Sequence, residues 1–274
     1  MDRPMWIEVL DSAPALISGL LLFGLMLLAT LVGRYVHREH QRRFGTCEEA
    51  KGQEEIILSA VLGLLALLLG FTFSLAVDRF EMRRALVVEE ANAIGAAYLR
   101  AQLLDEPHRT RMSRLLQRYT DVRITLATAD RTQANALLPV NRGLIHDIWS
   151  AAKASFPTIK DYDFSSAYID SVNNLIEIGS ARMEARLVRV PPEVFVVLFV
   201  YMITTAAVLG YVLKGPRSHL VAVFLLVLLT LSLMLIVDID RPGSGMVREG
   251  QGPMEDLRRA MASWRPASFD QPPP

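Results

Sequence analysis

The sequence predicts an all-α integral membrane protein with four transmembrane helices and a helical extramembrane region between the second and third spans. Three observations support this fold class. The chain of 274 residues is 51% hydrophobic, and its apolar residues are concentrated in four blocks without a charged residue. Each block has about the 20 residues that a helix needs to cross a bilayer. The polar stretch between the second and third blocks is rich in Ala, Leu, Arg and Glu, which favour helix.

The four apolar blocks are bounded by prolines and charged residues, as expected for membrane spans. The first block has only a weak basic region before it and no A-x-A cleavage site after it, which favours a retained span over a signal peptide. Pro191 and Pro192 precede the third block, where proline suits a first helical turn. A soluble chain of this length has too little polar sequence to bury four such blocks. The spans are predicted at about 13–32, 56–77, 194–213 and 220–237.

These spans divide the chain into four segments. A first membrane hairpin covers 1–77, and a helical extramembrane region follows at 78–189. A second membrane hairpin covers 190–240. The C-terminal tail, 241–274, is rich in Gly and Pro, and we expect only a small helix in it, near 254–262.

The second span is predicted to continue out of the membrane as a helix to about Leu104. The apolar residues beyond the span keep helical spacing. They are Val87, Ala91, Ile94, Tyr98 and Ala101. The stretch Asp105-Glu106-Pro107 indicates a break, because proline removes a backbone donor and favours the start of a new helix. A second extramembrane helix is therefore predicted over 108–128.

Two more helices are predicted before the third span. One runs over 133–155 and is expected to break at Phe156-Pro157. The other is expected to begin at a cap formed by Asp163 or Ser165, since both residue types favour N-caps. It should continue to Arg189 and lead into the third span.

Charge gives little further guidance on partners or orientation. The formal net charge is zero and the pI is near 7, which offers no electrostatic case for binding nucleic acid. Basic residues follow the first span, but they also follow the second and fourth spans and precede the third. The positive-inside rule therefore does not decide the orientation of the chain in the membrane.

No constellation of residues predicts an enzyme, a cofactor site or a metal site. The sequence has no P-loop, no Rossmann fingerprint and no G-x-S-x-G elbow. His37 and His40 lie near Glu39 and could bind a metal, but without an H-E-x-x-H motif or a cysteine pair a solvated loop is the favoured interpretation. The one cysteine, Cys47, excludes an intrachain disulfide.

The second span carries a regular stripe of residues. Gly63, Leu67 and Phe71 are four residues apart and so lie on one helical face. Gly63 and Gly70 are seven apart, a spacing that permits close approach of another helix. From the residues alone, such a stripe is expected to face lipid or a neighbouring helix.

Charged residues crowd the end of this span. Asp78, Arg79, Glu81 and Arg83, with Arg84 after them, would lie at the membrane boundary. They could surround the mouth of a pore, or they could be an interfacial anchor with intrahelical pairs that stabilise by only ~0.3–0.5 kcal/mol each. The mixed sign of these charges leaves anion and cation preference open.

Two short patterns resemble the bestrophins. The second transmembrane helix of that family has a Gly-Phe pair and an arginine eight residues after the Phe, and Gly70, Phe71 and Arg79 match this spacing. The turn after the fourth span, with Asp238, Asp240 and Pro242, is similar to the acidic, proline-containing turn after the last bestrophin span. Over about 13–257 the chain resembles the bacterial bestrophin-like family, a membrane domain of unknown function.

The resemblance implies a homo-oligomeric, pentameric ion channel in a bacterial plasma membrane, with the middle region in the cytoplasm. Its hydrophobic neck would be formed by the second span at Gly63, Leu67 and Phe71. Gly63 has no side chain at a neck position where bestrophins place an apolar one. No dense acidic run follows the fourth span, so calcium gating is not expected. The alternative is a membrane-anchored scaffold or sensor whose helical middle region binds a protein partner.

Overall fold

The computed structural model describes residues 15–44, 48–213, 216–242, 247–264 and 269. The described residues form eight α-helices and no strand, which confirms the all-α fold class. The helices are α1 Ala15–Phe44, α2 Glu48–Ala101, α3 His108–Thr128, α4 Arg131–Ile159, α5 Phe164–Ala185, α6 Pro192–Val212, α7 Pro216–Asp240 and α8 Gly252–Ser263.

Four of these helices are long and apolar enough to cross a membrane, as the sequence predicts. The qualifying segments are Ile17–Arg43, Gly52–Ala101, Pro192–Val212 and His219–Asp240. The second is far longer than a bilayer requires, since a helix rises about 1.5 Å per residue and the hydrocarbon is about 30 Å thick. The predicted continuation of the second span beyond the membrane is therefore confirmed, although α2 ends at Ala101 rather than at Leu104.

The chain folds as two compact units. The membrane unit contains the residues up to Asp78 together with Arg189–Arg241. The extramembrane unit contains Arg79–Val188 together with Pro242–Pro274. The C-terminal tail thus belongs to the same unit as the middle region.

In the membrane unit, α1 and α6 pack closely at two glycines. A Cβ atom placed on Gly33 would lie 2.0 Å from the carbonyl oxygen of Ala207. One placed on Gly210 would lie 2.0 Å from the carbonyl oxygen of Thr30. Only glycine allows the two backbones to approach so closely, and such contact through small residues is a usual mode of helix association in membranes.

In the extramembrane unit, one apolar core joins α2, α3, α4, α5 and α8. The end of α2 supplies Val87, Ile94 and Tyr98, all fully buried. The C-terminal helix α8 adds Met254 and Met261, which are also fully buried. The tail is therefore part of this core.

The helix boundaries in the middle region agree with the sequence at one helix and differ at the next. Helix α3 covers His108–Thr128, as predicted. The predicted break at Pro157 is wrong, because α4 contains this proline and continues to Ile159. Ile159 is 2% exposed, so the last turn of α4 places an apolar side chain in the core, which offsets the cost of the proline.

The predicted end of the fourth extramembrane helix is also wrong. Helix α5 begins at Phe164 and ends at Ala185, and it does not run on to Arg189 or into the third span. Asp163 occupies the N-cap position, but its side chain makes no capping hydrogen bond. The chain leaves the helix before Pro191 and Pro192 because a residue that precedes proline is disfavoured in the α conformation.

Candidate functional site

The predicted neck residues lie on a face of α2 that the protomer leaves uncovered. Leu67 is 53% exposed and Phe71 is 65% exposed. Gly63 is exposed as well, and a Cβ placed on it would meet no atom within 4 Å. The three residues form a continuous stripe because positions four apart lie almost above one another on an α-helix.

The opposite face of the same span is covered. Leu65 and Ala76 are fully buried, and Leu69 is nearly so. The hydroxyl of Thr72, also on this face, donates to the carbonyl oxygen of Leu68 at 2.8 Å. Only 17% of the most apolar 18-residue stretch of α2 is buried, compared with 28–33% for the other three spans. The second span is thus the one that depends most on surroundings outside its own protomer.

The charged residues after the span differ in exposure. Asp78 and Glu81 are exposed, and Arg79 is half-buried. The guanidinium of Arg84 lies 3.6 Å from the carboxylate of Glu81, with both side chains more than half exposed. Exposed pairs of this kind contribute little to stability, so the side chains of Glu81 and Arg84 remain accessible to solvent and ions.

Arg83 differs from the expectation for a pore-mouth charge. Its side chain is 2% exposed, and Nε donates to Oε1 of Glu249 at 2.6 Å. A guanidinium committed to a buried carboxylate is removed from water. The placement of Arg83 favours a structural role, in which it holds the segment before α8 against α2.

A buried charged cluster around Glu90, which we call the Glu90 cluster, was not anticipated from the sequence. Glu90 is fully buried and accepts hydrogen bonds from three side chains. Arg123 donates to it from Nη2 at 3.1 Å, and Nε of the same guanidinium lies 2.6 Å from Oε1 in an ion pair. Arg182 donates from Nη1 at 2.5 Å, and the Tyr119 hydroxyl donates at 3.0 Å. One carboxylate thus joins α2 to α3 and α5.

Glycine and tyrosine fit closely around this carboxylate. A Cβ placed on Gly179 would lie 2.4 Å from the Tyr119 hydroxyl and 3.3 Å from Oε1 of Glu90, so only glycine fits there. The carbonyl oxygen of Gly179 accepts from Arg123 Nη2 at 3.3 Å. Burial, reinforced by the negative charge of Glu90, raises the pKa of Tyr119 well above its ordinary value. Tyr119 therefore stays protonated as a donor.

The Glu90 cluster extends to the segment before α8. Arg182 Nη2 donates to Oε1 of Gln251 at 2.7 Å. Gln251 in turn donates from Nε2 to the carbonyl oxygen of Glu249 at 3.1 Å. Arg186 donates to the last carbonyls of α3, and burial lowers the pKa of its guanidinium. The bond between Arg182 and Gln251 therefore fastens the segment before α8 to α5, and the bonds of Arg186 join α5 to α3.

The predicted post-span turn holds the start of the third span. Asp240 is buried, and its Oδ1 accepts a hydrogen bond from the backbone N–H of Val190 at 3.0 Å. Pro191 follows at once, so the carboxylate fixes the backbone just before α6 begins. The N–H of Arg241 donates to the carbonyl oxygen of Asp238 at 3.3 Å, which starts the turn that reaches Pro242.

The described residues contain no grouping of three or more His, Cys, Asp or Glu side chains that could hold a metal ion. His37 is buried and packs edge-to-face against Tyr211, with 4.8 Å between the ring centroids. This contact joins α1 to α6. Cys47 lies outside the described residues.

Comparison with known proteins identifies the family. A model of the bestrophin-like domain matches residues 20–254, which is most of the chain. The chain belongs to the bestrophin-like family. None of the curated proteins matches it in sequence.

The bestrophin-like fold is also found in solved structures. Three crystal structures of a bacterial bestrophin homolog from Klebsiella pneumoniae, two of them of single-substitution variants, resemble this chain. Their TM-scores are 0.66, 0.67 and 0.64, with sequence identities of 16%, 14% and 16%. The matches cover 92%, 89% and 93% of this chain and 98%, 97% and 99% of the homolog. At this identity the likeness concerns the fold.

Proposed function

We propose that the chain is one subunit of a homo-oligomeric bestrophin-like ion channel in a bacterial plasma membrane. The observation that carries the proposal is the uncovered stripe of Gly63, Leu67 and Phe71 on the second span. Membership of the bestrophin-like family and likeness to a bacterial bestrophin homolog support it.

One copy of α2 cannot enclose a pathway, so the proposal requires several copies around an axis. Closed rings of identical subunits are the usual symmetric solution. A ring would place the second span of every copy toward the axis and would cover the side of it that the protomer leaves bare. The resemblance to bestrophins implies five copies.

In such a ring, Leu67 and Phe71 would form the hydrophobic neck. Apolar side chains at a constriction expel water, and a dewetted constriction blocks ions without a physical plug. Gly63 would leave the adjoining level wider. Asp78, Arg79 and Glu81 would lie near the mouth, whereas the burial of Arg83 excludes it from our proposed set.

We further propose that the extramembrane unit is cytoplasmic, as the resemblance to bestrophins implies. A cysteine introduced at the exposed Arg142, in a Cys47→Ser background, tests this orientation. In intact cells the cysteine should resist a membrane-impermeant maleimide and react only after the membrane is opened. Labelling of the cysteine in intact cells would instead place the extramembrane unit outside the cytoplasm.

Ion flux in proteoliposomes tests the channel. Sodium and chloride flux should be measured for the wild type, for Leu67→Ala and for Phe71→Ala. Phe73→Ala is a matched control, because Phe73 is 41% exposed on the same helix but lies about 200° around from Phe71. We expect the wild type to conduct, the neck variants to conduct more or lose gating, and Phe73→Ala to behave like the wild type.

Other outcomes would identify different roles. A folded, oligomeric protein that passes neither ion would reject the channel. Crosslinking that yields only monomers or dimers would reject the ring and favour the membrane-anchored scaffold. Equal effects of Phe71→Ala and Phe73→Ala would remove the neck assignment while leaving conduction intact.

A further inference from the structure

A groove lined by several charged residues lies between α3 and α8 in the extramembrane unit. It has a volume of about 810 Å³, within the range of about 300–1,000 Å³ that is common for small-molecule sites. Four arginines line it: Arg109 and Arg114 from α3, and Arg258 and Arg259 from α8. None of its lining residues belongs to the Glu90 cluster, and the ion pathway proposed above does not involve it.

Two of the four arginines already have carboxylate partners. Arg109 Nε donates to Oε1 of Glu106 at 3.0 Å, and the Thr110 hydroxyl donates to the same oxygen at 2.9 Å. These hydrogen bonds, that from Thr110 first, lower the pKa of Glu106 and keep it ionised. Arg259 pairs with Asp256 in the preceding turn of α8. Both pairs are therefore close to neutral.

The other two arginines are not matched in this way. Arg114 and Arg258 are exposed, and the guanidinium of neither makes a hydrogen bond or ion pair with any other residue that the structure describes. One further carboxylate, Asp121, lines the groove. With Arg109 and Arg259 matched by Glu106 and Asp256, two guanidiniums remain against the single carboxylate of Asp121, so the groove carries a net positive charge of one.

The walls of the groove are held in place by hydrogen bonds beneath it. The Tyr98 hydroxyl donates to the carbonyl oxygen of Trp264 at 2.5 Å. Gln117 Nε2 donates to the carbonyl oxygen of Met261 at 3.2 Å, and the Met261 side chain is fully buried. These contacts fix the end of α8 against α2 and α3. A ligand in the groove would have little backbone to order, which favours binding.

We propose that this groove binds a small anion that carries phosphate groups, with Arg114 and Arg258 as its principal ligands. Guanidinium is planar and donates two parallel hydrogen bonds to phosphate, which makes arginine the side chain best suited to such a group. Two helices contribute one unmatched guanidinium each, so the anion would bridge α3 and α8. The phosphate belongs to a soluble metabolite or to a lipid headgroup.

Isothermal titration of the purified full-length protein in detergent tests the site, with inorganic pyrophosphate as the probe. Arg114→Gln and Arg258→Gln should each weaken binding about tenfold, as loss of a charge-assisted hydrogen bond implies. Asp121→Asn should tighten binding by about threefold, because it removes a negative charge from the groove. Arg118→Gln is the matched control, since Arg118 is exposed on α3 outside the groove.

A second titration with a short-chain phosphatidylglycerol distinguishes the sources of the phosphate. Binding of pyrophosphate that the two arginine variants weaken supports a soluble ligand, and the same pattern with the lipid supports a headgroup. The proposal is overturned if neither probe saturates below about 1 mM, or if Arg118→Gln weakens binding as much as Arg114→Gln does. Thermal unfolding of each variant checks that it is folded, and we expect transitions close to that of the wild type because the substituted positions are exposed.

Discussion

The two halves of α2, one continuous helix, differ in how far their apolar side chains are buried within the protomer. In the half that belongs to the membrane unit, Leu67 and Phe71 are more than half exposed. In the half that belongs to the extramembrane unit, Val87, Ile94 and Tyr98 are fully buried in a core that the protomer supplies itself. The difference shows which part of the helix is complete in one chain and which part needs lipid or other copies.

The extramembrane half also contains a buried charge, whereas the membrane-spanning stretch 56–77 contains no charged residue. Glu90 lies among the core positions, with its carboxylate matched by two arginines and a tyrosine. Desolvated charges are costly unless they are paired, so the extramembrane half is sensitive to loss of a single charged group. The membrane half should instead tolerate changes in side chain with little loss of stability.

The largest effect on stability is expected from Glu90→Leu. The substitution would leave Arg123 and Arg182 buried without their carboxylate, and breaking a buried ion pair in this way costs about 3–5 kcal/mol. The adjacent exposed residue gives the control, because Glu89→Leu should change the unfolding free energy by about 0.5 kcal/mol or less. Thermal unfolding of both variants measures the difference. Equal losses would show that the Glu90 cluster is not a source of stability.

A somewhat smaller effect is expected from Arg83→Met. It should cost about 3 kcal/mol by leaving Glu249 buried and unpaired, whereas Arg84→Met, at an exposed position, should cost little. The double variant Arg83→Met with Glu249→Met should recover part of the loss, because apolar residues often replace a buried pair without penalty. A double-mutant cycle in thermal unfolding measures the coupling, and simple additivity would argue against the pair.

In the membrane unit, Gly33→Ala should destabilise by about 2 kcal/mol. The added methyl would meet the backbone of Ala207, which cannot move aside as a flexible side chain can. Gly24→Ala, on the same helix, meets nothing within 4 Å and should be neutral or stabilising by about 0.5–1 kcal/mol. Thermal stability in detergent compares the two. A destabilised Gly24→Ala would mean that α1 has a partner on that face.

The smallest effect is expected from Tyr119→Phe, which removes one hydrogen bond to a charged acceptor and should cost about 1.5 kcal/mol. The raised pKa of Tyr119 means that the folded state retains the phenolic proton more strongly than the unfolded state. Its contribution is therefore complete below about pH 10 and is lost as the pH rises above that value. Unfolding measured from pH 7 to 11 should show the wild type and the variant converging. A constant gap would contradict the assignment.

Much of the fold could be predicted from the sequence because prolines and apolar blocks act on the helices that contain or adjoin them. Pro107 marked the start of α3, and the apolar blocks gave the four spans. The start of α4 was placed two residues late, although a capping box was visible in the sequence. Asp130 accepts from the backbone N–H of Gln133 at 2.8 Å, and Gln133 reciprocates. The predicted break at Pro157 is wrong because the burial of Ile159 depends on tertiary packing, which the local sequence does not indicate.

The charged cluster was missed for a different reason. Glu90 accepts hydrogen bonds from Arg123 and Arg182, which lie 33 and 92 positions further along the chain, so no local motif predicts these contacts. A signal was nevertheless present, because Glu90 lies three residues from Val87 and four from Ile94, on the apolar stripe of α2. A carboxylate at a core position requires a partner. Its neighbour Glu89 shares the residue type but lies off that stripe and is exposed.

The membership of α8 in the extramembrane core has a consequence for biosynthesis. Met254 and Met261 complete a core whose other residues are translated before the third and fourth spans. The unit therefore cannot close until both of those spans have left the ribosome, and the two parts of the unit must emerge on the same side of the membrane. An even number of intervening spans satisfies that requirement. The core of the extramembrane unit can therefore be completed only after all four spans have been synthesised.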